Sequence, residues 1–204
     1  MISREERIKL LSMLVTLLVE KVLPMTHFDT RDIVAIVMSA SIWGVLNNTL
    51  APIVWRMTHL PFTCDLLGFV SLILVAWWAR RFGAASLTGI LVTGLTLVLQ
   101  PNAFHMFGFV TASILFDILT RLVGYNSCFD RPLTSILILI SFSTICAGVA
   151  GLIIGSFFLE IRIALEVFTG LHALGGFIGG LVGLVLVRAL MARKVMPSRG
   201  YIGG

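Results

Sequence analysis

Charge is what this chain lacks most. Of its 204 residues only 12% are Asp, Glu, Lys or Arg, about half of the roughly 25% usual in soluble domains. A soluble fold of this size needs a polar skin, and that share is too small to make one. The three cysteines, Cys64, Cys128 and Cys146, are odd in number, far apart and without a CxxC pair. They exclude a disulfide-stapled secreted domain and a metal framework, and read as small apolar residues. Lysine is confined to Lys9, Lys21 and Lys194, none in a glycine-rich loop, so ATP hydrolysis by a P-loop is excluded. HExxH, GxSxG and paired intramembrane aspartates are missing too, and no enzyme is expected.

What is present is apolar. Hydrophobic residues make up 58% of the chain, and its mean hydropathy is +1.03. A helix needs about 20 apolar residues to cross roughly 30 Å of hydrocarbon. Six stretches meet or approach that length, at 33–55, 60–79, 82–99, 103–123, 133–158 and 163–191. Gln100-Pro101-Asn102 interrupts a charge-free stretch and suits a tight hairpin between the third and fourth. Period-2 alternation is lacking, which leaves no β-barrel reading. The expected fold is an all-α integral membrane protein with six transmembrane helices.

At the N-terminus the charge-free run 10–19 is too short to span, and Glu20 and Lys21 follow it. An interfacial helix is favoured over a seventh span, and no signal-peptide cleavage site follows. The organisation is then a cytoplasmic or interfacial helix over 1–31, a transmembrane domain over 32–192 and a cytoplasmic tail over 193–204. With six spans, all 15 basic residues except Arg56 and Arg162 fall on the side of the two termini. Positive charge marks the inner side, so both termini are expected in the cytoplasm of a multi-pass plasma-membrane protein. The net charge of +5 is thereby assigned to orientation rather than to nucleic acid.

Ionisable groups inside spans cost about 2.5–3.5 kcal/mol each at mid-helix, so each needs a reason. Placed by depth, most of them gather toward the outer face. Asn47, Asn48, Trp55, Arg56 and His59 are there, with Asp65, Gln100, His105, Glu166 and His172. Trp43, Phe104 and Phe168 accompany them. The pattern predicts an outward-facing pocket for a small polar aromatic molecule, with rings to stack on it and a few groups to orient it. For residues at helix ends, simple wetting competes with that reading. The substrate contacts selected are Asn47, Asn48, His105, Glu166 and His172, with Trp55 and Phe104 stacking. Two histidines with no supporting pattern do not define a haem or metal site, and no cofactor is expected. Asp117 and Arg121, four apart near an inner helix end, are expected to pair and snorkel. Three overlapping GxxxG pairs (Gly175/Gly179, Gly176/Gly180, Gly179/Gly183) predict close helix packing, within the fold rather than between copies.

Six spans, an outer polar pocket and no motor resemble the substrate-binding (S) components of energy-coupling factor (ECF) transporters. Asp32-Ile-Val-Ala35-x-x-x-Ser39 is similar to the AxxxA-type segment that docks that family's membrane coupling subunit, with Ser39 in place of the second alanine. Trp77-Trp78-Ala79-Arg80-Arg81-Phe82-Gly83-Ala84-Ala85 resembles a turn in the branch associated with hydroxymethylpyrimidine, a thiamine precursor. The run from Gly108 to Asp117, with Gly124-Tyr125 after it, is also similar. The resemblance implies capture of a vitamin or precursor for an ABC-type importer. Its partners would be a transmembrane coupling subunit, touched through Ala35, Ser39 and Ala40, and two cytoplasmic ATPase subunits. A self-sufficient secondary carrier or small channel, and a structural or assembly subunit of a larger complex, are the alternatives from other classes.

Overall fold

A computed structural model describes residues 28–58, 62–158 and 164–198. The expected N-terminal interfacial helix lies outside them. Seven helices follow one another: α1 (Thr30–Thr58), α2 (Phe62–Ala79), α3 (Ala84–Leu99), α4 (Met106–Val123), α5 (Tyr125–Phe129), α6 (Pro132–Phe157) and α7 (Leu165–Ala192). Among the described residues there is no strand. α1, α2, α4, α6 and α7 are long and apolar enough to cross a membrane. α3 has 16 residues, about 24 Å at 1.5 Å per residue, short of a full hydrocarbon crossing by itself. Five of the six expected spans therefore meet the length requirement. The hairpin before α4 forms as the sequence predicts, with the Ala103 amide donating to the Gln100 carbonyl at 3.0 Å.

The long helices close a ring in the order α1, α2, α7, α6, α4, α3 and back to α1, with α2 reaching inward to touch α3 and α4 as well. This explains why α2 is the most buried span. Its Phe69 stands edge-on to Phe116 of α4 with centroids 5.9 Å apart. Large apolar side chains on the outside stay bare. Ile33, Val34, Val37, Met38, Ile42 and Val45 make an exposed stripe on α1, and Leu133, Leu137 and Val98 are at least 70% exposed elsewhere. In water such a surface drives association; in a bilayer it faces acyl chains as apolar as itself. The molecule is a multi-span helical membrane protein.

Glycines decide how close the helices come. A Cβ on Gly175 would lie 2.7 Å from the Phe62 carbonyl oxygen and one on Gly179 3.0 Å from the Leu66 Cα, both on α2. A Cβ on Gly176 would meet the Ser143 carbonyl oxygen of α6, and one on Gly180 the Ser143 hydroxyl. Successive residues on a helix point about 100° apart, so the two ridges face two neighbours. α7 is wedged between α2 and α6, and the GxxxG ladder is used inside the fold.

One end of the bundle is held by charge. α2 stops where Arg80 adopts the left-handed conformation (φ +47°), which costs a side-chain-bearing residue about 1–2 kcal/mol. That conformation is accompanied by a two-pronged contact with Asp130, at 2.9 and 2.6 Å. Arg81 reaches Asp29 at 3.2 Å and the buried Asp32 at 3.5 Å, fastening the start of α1. Asp117 of α4 is buried rather than snorkelling. Its Oδ2 accepts from the Gly83 amide (2.8 Å), the Ser86 amide (3.0 Å) and the Ser86 hydroxyl (2.8 Å). The expected surface pairing with Arg121 thus misses its main role: supplying, from another helix, the carboxylate that satisfies the first turn of α3.

Candidate functional site

At the opposite end the last turns of α1 and α3 meet the first turns of α2, α4 and α7. Between them lies a cavity of about 320 Å³, lined by residues of six helices and the hairpin. Its size is at the lower end of the roughly 300–1,000 Å³ typical of small-molecule sites. Asn47, Asn48, Ala51, Pro52 and Trp55 form the α1 wall. Pro52 sits inside the helix and has no N–H to give the Asn48 carbonyl, so the regular ladder is interrupted at the wall. Thr63 and Cys64 come from α2, Thr96 from α3, Gln100 and His105 from the hairpin, and Phe109, Ile154, Phe168 and His172 from α4, α6 and α7.

The two asparagines are oriented by their amide nitrogens. Asn48 Nδ2 donates to the Gly44 carbonyl at 2.7 Å and to the Thr96 hydroxyl at 3.2 Å. Asn47 Nδ2 points at the Met106 sulfur, 3.9 Å away. The Oδ1 atoms of both are buried without a protein partner, as is the Thr63 hydroxyl. Native interiors leave few such atoms unpaired. Buried polar atoms elsewhere in the bundle are unpaired too, Trp77 Nε1 and the Tyr125 hydroxyl among them, but these three belong to residues that line one cavity, as a site for a hydrogen-bonding ligand requires.

His172 is almost fully buried, with Nδ1 2.7 Å from Oδ2 of the equally buried Asp65. Two glycines make room for this pair. A Cβ on Gly151 would lie 2.7–2.9 Å from His172 ring and Cβ atoms, and one on Gly175 2.9 Å from the Asp65 Cβ. Phe168 stands edge-on to the imidazole with centroids 4.6 Å apart. His105, just before α4, has its pKa lowered by burial and then by the nearby His172, which keeps it neutral and free of charge at the cavity mouth. Among the described residues, no Lys or Arg lines the cavity.

Of the residues selected from the sequence, Asn47, Asn48, Trp55, His105 and His172 are brought together here. Phe104 and Glu166 are exposed and do not line the cavity; Phe104 stands in the hairpin, and Glu166 in the first turn of α7 faces outward. Ala35 and Ser39 are half-buried on α1, whereas Ala40 is packed in the core. Sequence reasoning missed Thr63, Cys64, Thr96, Phe109 and Ile154 as wall residues. It also missed that Asp65 and His172, placed at one depth, face each other. The depth was the available signal; which faces meet was not. Among the described residues, no group of three or more His, Cys, Asp or Glu is arranged to hold a metal ion.

The fold defines a multi-span helical membrane protein with a cavity at one end of its bundle. Neither a family model, nor a curated protein, nor a solved structure matches the chain.

Proposed function

We propose that this protein is the substrate-capture subunit of an ECF-type vitamin importer, taking up a small uncharged heteroaromatic vitamin or precursor from outside the cell. The observation that carries the reading is the preformed cavity whose buried Asn47, Asn48 and Thr63 oxygens lack protein partners. With no Lys or Arg among the described residues of its wall, the cavity suits a neutral molecule better than a carboxylate or phosphate. Trp55, Phe109 and Phe168 supply aromatic surface for a flat ring.

The charge distribution supports the orientation. Arg80, Arg81, Arg121, Arg131, Arg188, Arg193 and Lys194 lie at or near the helix ends remote from the cavity, so the positive-inside rule places the cavity outside. α3 joins that end to the cavity alongside α1 and α4 and acts as the sixth crossing. The charged residues of the described helices stand toward the two ends, with no ionisable relay through the middle among the described residues, which weighs against a gradient-driven carrier. The glycine ladder that would favour an assembly subunit is occupied by α2 and α6. Ala35 and Ser39, beside the apolar stripe of α1, are the proposed contact for the coupling subunit. That subunit would connect to two cytoplasmic ATPases, and ATP would be their ligand rather than this chain's.

The test is a thermal-shift screen of detergent-purified protein against vitamins and precursors, led by hydroxymethylpyrimidine and thiamine. A ligand at a hundred times its Kd adds about 2.7 kcal/mol of stability. Stabilisation by one uncharged ring compound, lost in Asn48→Ala/Trp55→Ala, is the expected result. Silence across the panel in a well-folded sample overturns the reading.

A further inference from the structure

Asp65 does not line the cavity, yet it touches the residue that closes the cavity's far wall. Nδ1 of His172 lies 2.7 Å from Asp65 Oδ2, a close polar contact outside regular hydrogen-bond geometry, and with the Cδ2 edge against Gly151 the other ring nitrogen, Nε2, is buried with no protein partner. We propose that Asp65 is a positioning residue that makes His172 Nε2 a hydrogen-bond donor toward the cavity, so that the site takes a ring with an acceptor on its α7 edge and an N–H or O–H donor on its α1 edge.

The argument is one of charge in a medium without water. With only the imidazole's own hydrogen the pair is a neutral ring and a buried carboxylate of net charge −1, in which Nδ1–H donates to Asp65 and Nε2 is an acceptor; with one further proton the pair is neutral overall. Among the described residues, no Lys or Arg lines the cavity to balance the charged form. Among the described residues, the other titratable groups on the wall are the Cys64 thiol from α2 and His105 from the hairpin, the latter kept neutral by its burial. On α7 itself, Glu166 is exposed. An uncompensated charge costs far more here than a neutral pair. With the further proton, the pair is either imidazolium and carboxylate or neutral imidazole and carboxylic acid. In the first, both ring nitrogens carry hydrogen. In the second, Asp65 donates to Nδ1 and the ring hydrogen is on Nε2. Both neutral arrangements leave Nε2 a donor. Across the cavity, the amide nitrogens of Asn47 and Asn48 are turned to Met106, Gly44 and Thr96, so the α1 wall offers acceptors. The two walls are therefore opposite in polarity, and a ligand must match both at once.

The ligand class rests on the binding reading above; the state of His172 does not. It is read without ligand, from the imidazole nitrogen spectrum of the full chain labelled with ¹⁵N-histidine, in detergent at neutral pH. The His172 signals are identified by their loss in His172→Gln or, should that variant not fold, by assigning His27, His59 and His105 through their own substitutions. The expected spectrum has a protonated Nε2 on His172, and Asp65→Asn displaces the His172 nitrogens more than those of His105. An Nε2 at the position of an unprotonated nitrogen overturns the proposal, as does an Asp65→Asn spectrum with His172 unmoved. A protonated Nε2 together with a silent ligand panel sinks the transport reading and leaves the Asp65 assignment standing.

Discussion

His172 shows how a residue's cost changes once its neighbour is known. From depth alone it reads as a ligand contact whose loss weakens binding and nothing else. In the fold, its removal also strands the buried Asp65 carboxylate, at about 1–3 kcal/mol for an unsatisfied buried polar group. His172→Ala is expected to lower the unfolding midpoint in detergent, whereas Asn47→Ala, whose side-chain partner among the described residues is a weak sulfur acceptor, should leave it nearly unchanged and weaken ligand binding. Equal midpoints for the two variants would contradict the Asp65 contact. Arg80 and Asp130 are a second buried pair, each with 9% side-chain exposure. Arg80→Ala should cost about 3–5 kcal/mol by leaving the carboxylate uncompensated. Adding Asp130→Ala should restore part of that, and a double-mutant cycle read by denaturation measures it; strict additivity would mean the contact carries no coupling.

Helices rather than side chains set the next level of order. α3 is short and depends on its neighbours at both ends. Asp117 of α4 satisfies its first turn, and Thr96 near its last turn bonds Asn48 of α1. Asp117→Ala should cost about 0.5–2 kcal/mol, the usual range for loss of a helix N-terminal cap. Hydrogen exchange should rise first in residues 84–88, and uniform exchange along α3 would argue against a local capping role. α7 depends on having no side chain where α2 and α6 approach. Gly176→Ala places a Cβ against the Ser143 backbone, and overpacking of this kind costs about 1–3 kcal/mol. Gly170→Ala, where nothing lies within 4 Å, should be neutral or slightly stabilising by helix propensity. Thermal unfolding of the two variants side by side checks the contrast.

For the whole molecule, the polar ends and the apolar girdle bear on the direction of the proposed capture. The cavity opens at one end, and the arginine–aspartate fastenings close the other. A cysteine introduced at Phe104, exposed beside the cavity, should react with a membrane-impermeant maleimide in intact cells. One at Met196, exposed after α7, should react only after permeabilisation. The reverse pattern would turn the cavity toward the cytoplasm and overturn capture from outside.

Much of this architecture was legible in the order of residues. The long apolar runs, the Gln100-Pro101-Asn102 break and the uneven placement of arginine depend on local length, hydropathy and charge, which a bilayer reads one segment at a time. The gathering of Asn47, Asn48, His105 and His172 at one depth followed from the same count along each span. The five-residue helix α5, the ring order of the spans and the meeting of Asp65 with His172 were not legible. A helix's depth is set by its own sequence, but its rotation is set by what it packs against, and here glycines at 151, 175 and 176 decide that packing. The sequence by itself determined a helical membrane protein with polar groups near one face. Only the tertiary structure decided which of those groups share a cavity, because Phe104 and Glu166 have the depth of the site without facing it.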